Sequence, residues 1–324
     1  RRAMELKFSH AILNFPETPP ETRPPMVLQN PWWAKPFEVF TRLMGTPGSD
    51  EADPSRILAV MAPLLFGYMF GDVGQGLVLL LAGLMLQKRW PLLRILVANG
   101  ASAMIFGFVF GSMFGREDLV PALWVHPISQ PLPVLAVPLA AGVLIILLGQ
   151  ALNAIEANWR GEWLRWLHVD APVVALYIGI LSAFFIDGSA SMLIIVSALT
   201  WYLVGNMLLA RGSFVAVLTA IAKLIETMMQ LVLNTVSFVR VGAFALAHAG
   251  LSLAFNIMAD SAGSLIVAGL ILLLGNVIVL VLEGLVVSIQ TTRLILFEFF
   301  IRFFQANGRV FKPLAGPLAR TADL

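Results

Sequence analysis

The chain has 324 residues, 59% of them hydrophobic and 12% charged, with a net charge of +2 and a mean hydropathy of +0.86. Soluble domains carry about 45–50% apolar and roughly 25% charged residues, so this composition points to lipid as the solvent. The absence of cysteine excludes a disulfide framework or thiolate metal site, the scattered His10, His126, His168 and His248 make no metal cluster, and the near-neutral charge implies no nucleic-acid partner.

Residues 1–56 hold no long apolar run. Pro16, Pro19, Pro20, Pro24, Pro25, Pro31, Pro36, Pro47 and Pro54 are expected to break any helix there. The segment reads as peripheral, lying on one membrane face with Trp32, Trp33 and Phe37 at the interface. It shows no signal peptide, and a start at Arg1 rather than Met reads as a fragment that lacks an N-terminal part.

Apolar stretches follow at about 57–87, 92–115, 133–156, 169–187, 190–210, 214–259 and 263–305. A spanning helix needs about 20 residues, so three of these are too long for one ordinary span. The stretch 57–87 has Gly71-Asp72-Val73-Gly74-Gln75-Gly76 at its centre. It reads either as one long helix or as a hairpin of two short ones broken at the glycines, with Asp72 capping the second. Basic residues prefer the cytoplasmic side. A hairpin places Lys88, Arg89, Arg94, Arg160, Arg165, Arg211, Lys223, Arg302, Arg309, Lys312 and Arg320 on the side of Arg1 and Arg2. A single span puts Lys88, Arg89 and Arg94 opposite the N-terminus, so the hairpin is preferred.

The stretch 214–259 splits into an amphipathic helix over 214–232, near the cytoplasmic surface, and a crossing helix over 233–259. As one helix, 263–305 is on the order of 65 Å long. That exceeds the ~30 Å hydrocarbon core, so it must tilt or project from the bilayer. The expected fold is an all-α polytopic membrane protein of about eight transmembrane helices, the last two long and tilted, with both termini cytoplasmic. Its parts are a cytoplasmic or interfacial segment (1–56), a membrane domain (57–306) and a cytoplasmic C-terminal tail (307–324). Short loops and small size favour a prokaryotic plasma membrane. No phosphate-binding loop of the GxxxxGK(S/T) type occurs, so nucleotide hydrolysis by that route is not expected, nor is a cofactor. No internal repeat is visible, which weighs against an inverted-repeat transporter.

Ionisable residues at membrane depth are costly and read by default as functional. Arg240 lies within Leu231–Gly250, and Glu283 and Arg293 lie within Val281–Phe300. Glu226, Gln230, Asn234, Ser237 and Arg240 step by four, four, three and three residues, which places them on one helix face. Such a stripe, leading from the cytoplasmic surface to a buried arginine, suits a water-filled half-channel. Glu283, Gln290 and Arg293 step by seven and three, again one face, and His248, eight residues past Arg240, could belong to a second aqueous path. Gly242, Ala243, Ala245, Ala247, Ala249 and Gly250 let another helix approach Arg240 closely. Plainer readings exist. Arg240 or Arg293 could be a structural arginine paired with Glu283, His248 could be a packed histidine, and His126 a solvated loop residue. Glu298 and Arg302, four apart, read as an ordinary surface pair.

Four blocks carry a resemblance to a known family: NPWWAKPFE (Asn30–Glu38) with Asp53-Pro54, FGYMFGDVGQG (Phe66–Gly76), Glu226–Ser252 with NTVSFVR and ALAHAGLS, and Glu283–Leu314 with Gln290, Arg293, Glu298 and NGRVFKPL. In this order the chain resembles the membrane domain of subunit a, also called subunit I, of V-type and A-type rotary ATPases, over nearly its whole length. Gln75 stands where that family often has histidine, and Val241 and Gly242 replace bulkier residues. The resemblance implies a stator beside a rotating membrane ring of proteolipid subunits that bear ion-binding carboxylates. It implies that Arg240 and Arg293 are the two stator arginines, and that Glu226, His248 and Glu283 serve the aqueous half-channels for protons or sodium. It further implies as partners the ATP-hydrolysing head and, through an N-terminal domain not in this chain, peripheral stalk subunits. The rival expectation is a secondary ion transporter or channel using an intramembrane Arg–Glu pair. A third is a membrane anchor in which the arginines are dispensable.

Overall fold

The computed structural model describes residues 25–26, 28–48, 51–116, 118–209, 214–304 and 308–310. The readings placed on His10, on Arg1, Arg2 and the prolines before Pro25, on Arg211, and on Lys312 and Arg320 of the tail lie outside the described residues. Among the described residues the architecture is helical. Six stretches are long and apolar enough to cross a membrane: Pro91–Phe110, Pro131–Trp159, Trp163–Ser182, Gly188–Leu209, Val217–Asp260 and Leu265–Arg302.

The prolines of the first segment confine a helix rather than abolish it. A 3-10 turn at Lys35–Phe37 carries Pro36 near its start, where no N–H is needed, and leads into α1 (Glu38–Met44), which stops before Pro47. Trp32 and Trp33 are exposed, as an interfacial role requires, but Phe37 is buried and stacks on Phe40 at 6.3 Å. Two residues of extended chain, β1 (Pro25–Met26), pair in parallel with β2 (Arg309–Val310). Thr46 Oγ1 donates to the Gly308 carbonyl at 2.7 Å, and Ala52 N–H donates to Glu156 Oε1 at 3.0 Å. The first segment is thereby fastened to both the end of the chain and a membrane helix.

The 57–87 stretch is two short apolar helices, α2 (Ser55–Met69) and α3 (Val73–Leu86). Both pack on α4 (Arg94–Phe110). Gly67 lies against Ser102 and Gly71 against Phe110, so α2 runs parallel to α4; Gly76 lies against Met104 and Gly83 against Val97, so α3 runs antiparallel. The two short helices therefore form a hairpin, as the charge placement favoured. Close approach explains its glycines: a Cβ on Gly100 would lie 2.5 Å from the Leu80 backbone nitrogen. Asp72 closes the tip. Wholly buried, it accepts from the backbone N–H of Gln75 (2.9 Å), Phe114 (3.0 Å) and Gly115 (2.8 Å) and from Ser112 Oγ (2.8 Å). It caps α3 and also pins the loop after α4.

Helices α5 (Pro131–Trp159), α6 (Trp163–Ser182), α7 (Gly188–Leu209), α8 (Phe214–Ser237) and α9 (Val239–Asp260) follow. The break inside the long 214–259 stretch falls at Phe238 rather than at 232, so the amphipathic helix extends to Ser237, directly before Arg240. Phe238 is buried against the position of Gly142 on α5, and Gly242 sits on the backbone of Val134, so the break is set by packing.

The last stretch is not uniform. It runs as α10 (Leu265–Ile278), a π-helical turn (Val279–Glu283), α11 (Gly284–Arg293), a second π-helical turn (Leu294–Phe299) and a 3-10 turn (Phe300–Arg302). Phe299, Phe300, Phe303 and Phe304 close it with rings in edge contact at 5.1 Å, all buried.

Candidate functional site

The last stretch runs antiparallel to α8 and α9, and their polar residues meet across the seam at successive levels. Deepest is His248, whose Nδ1 lies 2.9 Å from Glu283 Oε2; the side chains are 3% and 10% exposed. The Phe70 ring, at the hairpin tip, covers His248 at 4.8 Å between centroids. His248 Nε2 has no partner among the described residues, and Ser252 Oγ, one turn further along α9, has none either.

Two turns before His248, Arg240 Nη1 donates to Gln290 Oε1 at 3.0 Å. Its Nη2 donates to Ser237 Oγ and lies 3.7 Å from Glu298 Oε1. Ser237 Oγ in turn donates to Glu298 Oε1 at 2.6 Å. Arg240 is thus held at both ends of its guanidinium fork, with a quarter of its side chain still exposed. Further along, Asn234, with its amide turned so that its oxygen faces the guanidinium, accepts from Arg302 Nη2 at 2.5 Å and donates to the Gln230 carbonyl. Gln230 Nε2 donates to Glu226 Oε1 at 3.3 Å, and both of these side chains are exposed.

The stripe Glu226, Gln230, Asn234, Ser237, Arg240 is therefore a polar ladder in two bonded groups, Glu226–Gln230–Asn234–Arg302 and Ser237–Glu298–Arg240–Gln290, from exposed at one end to half-buried at the other. The structure brings Gln290 and Glu283 to it, one opposite Arg240 and the other opposite His248. Arg293 does not join by contact: it is exposed and makes no hydrogen bond or close ion pair with the described residues, and it reaches the ladder only through the field its charge exerts on Glu298. A residue three positions on trails by about 60° on an α-helix, which carries Arg293 off the seam that Gln290 occupies.

Two expectations are corrected here. Glu298 and Arg302 are not an ordinary surface pair. Glu298 is buried, with Oε1 on Ser237 and Arg240 and Oε2 without a partner among the described residues, while Arg302 is half-buried against Asn234. Nor is Glu283 the partner of either arginine, because His248 takes it. Sequence reasoning missed Glu298 and Arg302 as members of the ladder; a lone carboxylate inside the apolar run 294–304 was the available signal. His126 is half-buried rather than simply solvated, and its carbonyl accepts from Ser129 Oγ at 3.1 Å. Of the small residues beside Arg240, Gly242 and Ala245 are buried in the bundle, whereas Ala243, Ala247 and Gly250 are exposed. Together these make a chemically simple site: one fixed cation at the break between α8 and α9, a polar ladder on one side of it, a His–Glu pair on the other, and a thin bare helix face alongside.

No protein-family model matches the chain. Curated proteins do. The A-type ATP synthase subunit I of Pyrococcus abyssi is 30% identical, over 90% of this chain and 47% of its own length. That of Thermococcus kodakarensis is 26% identical, over 89% of this chain and 47% of its own, and that of Methanocaldococcus jannaschii 26%, over 91% and 49%. The chain spans about half the length of these relatives. The chain is a homologue of A-type ATP synthase subunit I proteins over about half of that subunit's length.

Proposed function

We propose that the chain is the ion-translocating membrane part of a rotary ATPase stator, working beside a rotating ring of small helical subunits that carry ion-binding carboxylates. The observation that carries this reading is Arg240, fixed by Gln290, Ser237 and Glu298 between two separate polar clusters and next to an exposed face of small residues. The delocalised guanidinium of arginine keeps its charge in proteins. A deprotonated ring carboxylate passing Ala243, Ala247 and Gly250 is favoured in its ionised form beside that charge. A carboxylate leaving for the lipid must first be neutralised, since a bare charge in an apolar medium is very costly. It takes an ion from one cluster's aqueous path and has released one to the other, so rotation and transport are tied together. The ladder from Glu226 to Ser237 serves the cytoplasmic path and His248–Glu283 the opposite one. The two arginines repel cations and so block a direct leak between the paths. Arg293, exposed directly before the buried Leu294, is the second charge offered to the ring.

In this reading the chain does no bond chemistry. The head of the complex hydrolyses or makes ATP, and peripheral stalks hold the stator through a domain outside this chain. The chain is a multi-pass protein of a prokaryotic plasma membrane, with its Glu226 end cytoplasmic. A secondary transporter or channel is the second reading, favoured by the Arg240–Glu298 pair within one chain.

The test is ATP-driven ion uptake by the reconstituted complex, with Arg240→Ala and Arg293→Ala each checked for assembly. Uptake falling to background in assembled Arg240→Ala, and a smaller or equal loss in Arg293→Ala, is expected. Full uptake in both variants overturns the mechanism and leaves a membrane anchor. Ion flux through the isolated chain favours the transporter.

A further inference from the structure

Two cavities meet at Arg56, at the start of α2. One, of about 630 Å³, is a trough between α2 and α5 whose walls include Met61, Leu65, Tyr68, Pro138 and Ala141, and Arg56 is its one charged member. The other, of about 560 Å³, lies beyond the start of α2 and is lined by Gln29, Asn30, Trp33 and Lys35 together with Arg56. Among the described residues no carboxylate lines either one. The nearby acids are already engaged: Glu38 with Arg42 and Asn30, and Asp53 with Asn30 and the Ser55 N–H. The Arg56 and Lys35 side chains make no hydrogen bond or ion pair with a described residue, and both are exposed.

The level of this junction is that of a membrane surface. The Lys35–Phe37 turn packs against the Pro91–Leu93 turn, next to Lys88, Arg89 and the exposed Trp90. Exposed tryptophans at the end of apolar helices mark the headgroup region. The sequence of chemistries along the joined cavities is an apolar trough open to the bilayer, two cations, then a polar space. That is the order of chemistries along a phospholipid. Basic pockets between membrane helices on the positively charged face recognise anionic headgroups.

We propose that the joined cavities bind one anionic phospholipid, with an acyl chain along the trough and its phosphate between Arg56 and Lys35. The site is independent of the ion path: neither cation belongs to the ladder or to the His248–Glu283 pair.

Native mass spectrometry of the full chain, taken from vesicles of equal phosphatidylglycerol and phosphatidylcholine, reads this directly. One retained phosphatidylglycerol is expected, in preference to phosphatidylcholine. The double variant Arg56→Ala with Lys35→Ala is expected to lower that retention by roughly tenfold or more, since each basic group contributes about 1 kcal/mol to holding anionic lipid. Ala141→Trp, which fills the trough, is expected to lower retention of both lipids. Both cations are exposed, so the double variant reads the site even where the trough variant fails to fold. Equal retention of the two lipids by the unaltered chain overturns the proposal. So does phosphatidylglycerol retention that the double variant leaves unchanged, or a groove found occupied by a protein segment instead.

Discussion

Among the buried acidic side chains, Asp72 and Glu298 serve opposite ends. Asp72 is a carboxylate whose four acceptor directions are all used, by three backbone N–H groups and a serine hydroxyl. Hydrogen bonds of this number offset the cost of taking a charge out of water, and nothing is left over for an ion. Its work is structural. Asp72→Ala leaves three backbone donors without acceptors at a buried turn, each costing about 1–3 kcal/mol. A loss of at least about 2 kcal/mol in stability is expected, read as a lowered unfolding midpoint of the purified chain in detergent, with Asp72→Asn milder. A wild-type midpoint for Asp72→Ala would show that the tip is held by packing alone. Glu298 is the contrast. Only one of its oxygens is engaged, and that one faces the arginine on which the proposed transport turns. A half-satisfied buried carboxylate beside a fixed cation is poor as a stabilising device, which is why it reads as part of the site rather than of the core.

At the scale of elements, the informative feature is the pair of π-helical turns, one ending at Glu283 and the other beginning directly after Arg293. Such turns frequently sit at functional sites, because the extra residue re-aims the side chains that follow. The pairings make the effect visible. His248 meets Glu283 and Arg240 meets Gln290, so eight residues on α9 match seven on the last stretch; Ser237 meets Glu298 and Asn234 meets Arg302, so three then match four. Between Gln290 and Glu298, however, eight residues answer only three on α8 and α9. The second π turn lies in that interval. Inserting one alanine after Phe297, an exposed residue there, adds a residue that the π turn no longer absorbs and is expected to turn Glu298 and Arg302 by about 100° from Ser237 and Asn234. Arg240–Gln290 would survive. Most of the ATP-driven uptake should vanish from a complex that still assembles; undiminished uptake would mean that the lower ladder is dispensable. This also marks what the amino-acid sequence disclosed. The stripe from Glu226 to Arg240 was legible because α8 and α9 keep a helical period across Phe238. The hairpin was legible because six residues at its tip include three glycines, and because Lys88, Arg89 and Arg94 needed a side. Glu298 and Arg302 were not legible, because the four-residue spacing that suggests a surface pair says nothing about which helix lies opposite, and Arg293 left its expected seam for want of one more turn.

For the whole molecule, charge and connectivity together define two faces. The hairpin, with α2 and α3 too short at 15 and 14 residues to cross ~30 Å as ordinary spans, turns back toward the side it started from. Each later helix then alternates. Lys35, Arg42, Arg56, Lys88, Arg89, Arg94, Arg160, Arg165, Lys223 and Arg302 gather at one face, and among the described residues the loops of the other face carry only Arg116, paired at 3.5 Å with Asp260. By the positive-inside rule that asymmetry predicts a cytoplasmic basic face. The hairpin is what this depends on. Were 57–87 a single span, the loop holding Arg89 and the one holding Gly161 would lie opposite α1, and the fastening of Ala52 to Glu156 could not form across a bilayer. Because the chain has no cysteine, single cysteines report position without background. Leu43→Cys, Arg89→Cys and Gly161→Cys are expected to react with a membrane-impermeant maleimide in inverted vesicles only, and Asp187→Cys and Ser261→Cys in right-side-out vesicles only. Labelling of Leu43→Cys from the side opposite to Arg89→Cys would dismantle the hairpin topology. It would also separate Arg56 from the Pro91–Leu93 turn, and put the entrance of the polar ladder on the wrong face of the membrane for the proposed cytoplasmic path.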